Sequence, residues 1–90
     1  MKSIQKFLQE NEQLTHSTLQ KVESHVQRQK DNWILNTVLI EGSDIPFKYK
    51  RKKRYKSLKG AHVDIIYYPD TETIAGVKFD YMKVIKINIS

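Results

Sequence analysis

Lys48, Lys50, Arg51, Lys52, Lys53, Arg54, Lys56 and Lys59 follow one another closely, with Tyr49 and Tyr55 interleaved. Residues 45–60 hold eight lysines and arginines and no acid, in a chain whose net charge is +6. The flanking segments are each close to neutral, so the positive field has one source. Ammonium and guanidinium groups neutralise phosphates, and tyrosine rings stack on bases. Sequence-tolerant nucleic-acid binding needs that combination. If the run is a strand, Lys48, Lys50, Lys52, Arg54 and Lys56 project from one face at intervals of about 6.8 Å and form a ridge. If it loops out, it is a basic arm that meets phosphates without fixing their register. Other roles compete: lysines that protect an edge strand from aggregation, a solvated loop, or a surface for an acidic protein or anionic lipid.

No other cluster of residues supports chemistry. His16 and His25 are nine positions apart, and His62 with Asp64 shares a strand face but has no third ligand or nucleophile near it in sequence. The absence of cysteine excludes disulfides, thiolate metal sites and a cysteine nucleophile. Gly42, Gly60 and Gly76 are isolated and build no phosphate loop. The expectation is a non-enzymatic protein with no cofactor and no metal.

These residues must be positioned by a chain of 90 residues, short enough to suggest a single domain, 1–90. Hydrophobic residues at 39% and charged residues at 29% suit a globular fold. Aliphatic runs such as Val38-Leu39-Ile40 are too short for a membrane span or a signal-peptide core, which places the expected protein in the cytoplasm.

Residues 1–30 contain no Gly or Pro and are rich in Gln, Glu and Lys, which predicts a helical region. Ile4, Phe7 and Leu8 form one stripe and Leu19, Val22 and Val26 another. A break near residues 12–16, with Ser17 and Gln20 as a capping box, gives two helices; one long bent helix is the alternative. From Trp33 the period becomes two and β-branched and aromatic residues dominate. Strands are predicted at 33–40, from Ile45 into the basic hairpin 45–60, at 62–68, at 73–79 and at 82–89. Pro69-Asp70 reads as a type I turn and Gly76 as a bulge. Trp33 should pack the helix-to-sheet junction, Phe47 and Phe79 should lie in the core, and one of Tyr67 and Tyr68 should face outward. The expected fold is α+β, with an N-terminal helix or helical pair packed on a five-stranded antiparallel sheet or a small OB- or SH3-like barrel.

Residues 38–59 and Tyr67-Tyr68-Pro69 resemble small uncharacterised proteins of γ-proteobacteria over the C-terminal two-thirds of the chain, a likeness that implies no activity and no site residues. Leu58-Lys59-Gly60 leading into Val63, Ile65 and Tyr67 is similar to the start of a barrel strand in OB-type modules, which leaves the ligand open. The Arg-x-x-x-Arg and Asp-x-Ser-x-x-Gly signature of PilZ barrels is absent. The functional expectation is a binding module that engages nucleic acid, DNA or RNA and ribosomal RNA included, through Lys48, Lys50, Arg51, Lys52, Lys53, Arg54, Tyr55, Lys56 and Lys59 with little base specificity. The alternative is a protein-interaction module that binds an acidic partner or pairs as a homodimer, the basic run serving only as edge protection.

Overall fold

The computed structural model describes residues 14–90, which build five strands and no helix. They are β1 (Thr15–Lys30), β2 (Trp33–Ile40), β3 (Phe47–Arg51), β4 (His62–Ile74) and β5 (Val77–Ile89). The sheet closes on itself in the order β1-β2-β3-β5-β4. The predicted α+β fold is therefore replaced by an all-β barrel. The expected antiparallel sheet is also mixed, because β3 runs parallel to β5 through Phe47↔Met82 and Lys48↔Lys83. The stripe of Ile4, Phe7 and Leu8 lies outside the described residues.

The second predicted helix is β1. Its helix-forming composition yields to pairing on both sides: residues from Thr15 to Lys21 bond to β4, and residues from Val22 to Lys30 bond to β2. Two register shifts, between Ser17 and Gln20 and between Val22 and Ser24, bend the strand so that it serves both neighbours. The bulges break the period of two. The half-buried positions of β1 also carry polar residues such as Ser17, Gln20, His25 and Gln27, so the strand shows no apolar alternation. Each has a partner: Ser17 Oγ and the Tyr67 hydroxyl share a hydrogen bond of 2.9 Å, for example. At the first bulge Leu19 takes a φ of 53° and its N–H donates to Asp64 Oδ1 at 3.0 Å. The same oxygen accepts from Ser90 Oγ at 2.6 Å. The Ser90 hydroxyl first, then the Leu19 amide, hold the Asp64 carboxyl below its usual range.

β2 obeys the predicted alternation and keeps the predicted limits. Ile34, Asn36, Val38 and Ile40 are buried, while Trp33, Leu35, Thr37 and Leu39 face outward. The core gathers Val22, Val38, Ile40, Phe47, Val63, Ile65, Val84 and Ile87. Tyr67 packs edge-on against Phe47, ring centroids 4.8 Å apart.

The end of the chain forms one long hairpin in place of three short strands. β4 runs through Pro69-Asp70, because pairing with β1 ends at Thr15↔Tyr67 and β5 is the only neighbour of β4 beyond that point among the described residues, so proline's missing N–H costs no ladder bond there. The turn falls at Ala75-Gly76, both at positive φ (52° and 82°), the signature of a two-residue type I′ turn rather than a bulge. Asp80 pairs with Thr71 inside the hairpin, so no strand boundary exists there. The hairpin reaches past the barrel as an arm, and Phe79, expected in the core, is 48% exposed on it.

Candidate nucleic-acid interface

Alternation on three adjacent strands brings distant residues to one outer face. In register, Arg28 of β1 stands beside Leu35 of β2, which stands beside Lys50 of β3. One step along, Val26, Thr37 and Lys48 repeat the line, and Lys30 pairs with Trp33 at the β1–β2 turn. Glu72 and Tyr81 of the arm line the other side, and Lys83 of β5 stands beside Lys48 on the seam. Between them lies a groove of about 720 Å³. Its lining includes Arg28, Lys30, Lys48, Lys50 and Lys83 against the carboxylates Asp31 and Glu72, so it is positive.

The parallel seam makes the groove. β3 and β5 pair only at two positions and then diverge, which opens the barrel wall below Lys48 and Lys83. Aromatic rings hold several of the cations. Lys52 Nζ lies 4.0 Å and Lys50 Nζ 5.9 Å from the centre of the Trp33 ring, and Lys48 Nζ lies 5.5 Å from that of Tyr81. Lys48 also pairs with Glu72, the one ion pair among the described residues, which ties the arm to the groove floor. The Tyr81 phenol is pushed up by desolvation and by the neighbouring Asp70 carboxylate, so it is neutral at ordinary pH and keeps its hydroxyl bond to Asp70 Oδ2 at 3.2 Å.

The predicted ridge is broken. β3 ends at Arg51, and residues 52–61 are a loop. Lys48 and Lys50 reach the groove and Lys52 sits on its Trp33 rim. Arg51 points to the other side of β3, its guanidinium 5.4 Å from the Tyr49 ring and 5.8 Å from the Tyr55 ring. Lys53, Arg54, Tyr55, Lys56 and Lys59 follow the loop across the end of the barrel. The strand stops because β1 supplies a different partner: the Gln27 side chain takes the Tyr55 N–H on Oε1 at 3.2 Å and donates Nε2–H to the Tyr55 carbonyl at 2.7 Å. One side-chain amide thus plays the part of a strand neighbour. Arg54 Nη1 donates to the Gln27 carbonyl at 3.2 Å. Further on, His25 Nδ1 accepts the Leu58 N–H at 2.9 Å, which puts the ring proton on Nε2, where it donates to Asn36 Oδ1 at 2.8 Å. Asn36, 4% exposed, donates its amide to the Ile34 carbonyl at 3.1 Å, so both polar atoms of its side chain have a partner. Leu58 packs on the core and closes the barrel end.

Gln27→Ala should free this loop with little damage to the barrel. Removing two hydrogen bonds costs about 1–2 kcal/mol. Limited trypsin digestion should then cut faster after Lys53, Arg54 and Lys56, while the barrel still unfolds cooperatively, its midpoint lowered by roughly 4–16 °C.

Arg28, Lys30, Trp33, Tyr81 and Lys83 were missed as site residues. Trp33, placed by the sequence at a helix-to-sheet junction, is 39% exposed on the groove rim. The chain matches no family model, no curated relative and no solved structure. Among the described residues, no three His, Asp or Glu side chains gather to hold a metal, and no helix is long and apolar enough to cross a membrane.

Proposed function

We propose that the groove binds single-stranded nucleic acid, its cations taking the phosphates and its aromatic rings the bases. The observation that carries this reading is one line of side chains, Arg28 and Lys50 flanking the apolar Leu35, with Trp33 and Tyr81 in the same groove. A line of cations beside apolar and aromatic surface suits a flexible strand whose bases are unstacked, and suits a duplex less, since its bases are turned inward. Five-stranded barrels of the OB type use the face of strands two and three and the loops joining strands one to two and four to five for oligonucleotides and oligosaccharides. That parallel is one of fold alone. Lys48 is already paired with Glu72, so Arg28, Lys30, Lys50, Lys52 and Lys83 are the cations left, of which a bound strand would use about four for phosphate. About four contacts give a slope of log K against log salt of roughly −3 for a single strand.

Trp33 is the only tryptophan, so its fluorescence reports the groove directly. Titration with a pyrimidine homo-oligonucleotide at low salt should quench it, and Trp33→Leu should weaken binding, measured by anisotropy of a labelled strand, by about 5- to 100-fold, the worth of one stacked base. Equal affinity for the corresponding duplex, with no change in Trp33 emission, would overturn the reading.

A further inference from the structure

The barrel's end holds a second cavity, of about 490 Å³, on the far side of β3 from the groove floor. The two cavities share Asn36 and Tyr49 as a common wall, while Arg51, Tyr55 and Lys56 line only the second, and Trp33 only the first. The volume lies in the range of small-ligand sites.

Its chemistry is one-sided. Arg51 and Lys56 are cations, the aromatic lining is His25, Tyr49 and Tyr55, the apolar lining is Leu58, Ile87 and Ile89, and among the described residues no acidic side chain contributes. The Arg51 guanidinium lies near two tyrosine rings and pairs with no carboxylate among the described residues. A planar fork so placed is prepared for a bidentate anion, and it fits phosphate better than an ammonium group would. Tyr55, 58% exposed, offers a ring face at the mouth, and its backbone is fixed by the Gln27 amide. The loop that brings Tyr55 and Lys56 here is anchored by His25 as well, so the cavity does not depend on a ligand to assemble its walls.

We propose that this cavity binds a nucleoside phosphomonoester, with Arg51 and Lys56 on the phosphate and Tyr55 stacked on the base. The ligand chemistry is shared by a free mononucleotide and by the phosphorylated end of a strand. The site stands apart from the groove reading and does not require it.

The test is an amide-resolved titration of the full chain with a nucleoside 5′-monophosphate, the corresponding nucleoside and inorganic phosphate. The monophosphate should move the resonances of Arg51, Tyr55, Lys56 and Leu58 and leave the Trp33 indole in place, and the nucleoside and inorganic phosphate should each bind at least 10-fold more weakly. Arg51→Gln should weaken the monophosphate about 10-fold or more, as loss of a charge-assisted contact does, and Lys56→Gln, away from the core, should weaken it to a lesser degree. In a second arm, an oligonucleotide with and without a 5′-phosphate is compared: an Arg51-dependent gain from the phosphate identifies a strand end as the source, and no gain beside tight monophosphate binding identifies the free nucleotide. Inorganic phosphate binding as well as the monophosphate, unchanged affinity in Arg51→Gln with an intact spectrum, or shifts confined to the groove would each overturn the proposal. Binding of strands in the groove would be unaffected by that failure.

Discussion

Replacing Arg28 and Lys50 together by glutamate should weaken single-strand binding on the order of 100-fold at low salt, and reduce the salt slope by about 1.4, since two phosphate contacts are lost and two repulsions gained. The two side chains flank Leu35 across three strands, so both lie on the line that the strand backbone would follow. Both are exposed and neither belongs to an ion pair among the described residues, so the barrel should melt within a few degrees of the parent. Loss should be uniform across base sequences, because backbone contacts read no base edges. Lys53→Glu with Lys59→Glu changes the same formal charge on the loop outside the groove. It should cost only a few-fold, through the long-range field. The comparison separates a placed line of cations from mere net charge: equal losses in the two double variants would show that position does not matter.

The second large effect concerns the core. Ile65→Ala should destabilise the protein by about 2–5 kcal/mol, from lost apolar transfer and the cavity left behind. Ile65 is fully buried, together with Val22, Val38 and Val63, where the closed barrel leaves little room to collapse. That cost is a large part of the stability of a small domain, and chemical denaturation should show it as a lower midpoint with an unchanged slope. Val77→Ala, at the exposed end of the arm, should change stability by less than about 0.5 kcal/mol.

The strand that the sequence shows best is β2, because one face is apolar without interruption from Ile34 to Ile40 apart from Asn36. β1 could not be read this way. Its half-buried side is polar and satisfied by Tyr67, Asn36, Leu58 and Tyr55, partners remote in sequence, and two bulges shift its phase. Helix propensity over residues 15–30 was the strongest local signal, and the barrel pairing overrides it. Pro69-Asp70 misled for a related reason: a turn signal is local, whereas tolerance of proline depends on whether that strand has a second neighbour. The interface was half legible. Lys48, Lys50 and Lys52 reach it, but Lys53, Arg54, Tyr55, Lys56 and Lys59 are drawn away by Gln27 and His25, which no charge count could show. Val26, Arg28 and Lys30 share one strand face opposite Thr37, Leu35 and Trp33, a signal readable only once residues 24–40 are taken as a hairpin around Asp31-Asn32.

Whether nucleic acid lies in the groove is most directly tested by titrating the isotope-labelled full chain with a short single strand lacking a terminal phosphate. Perturbations should centre on Val26, Arg28, Lys30, Trp33, Lys48, Lys50, Tyr81 and Lys83, fade together as salt rises, and spare Lys53, Arg54, Lys56 and Lys59. Shifts confined to residues 53–59, or none at low salt, would contradict a binding groove between β1–β3 and the arm.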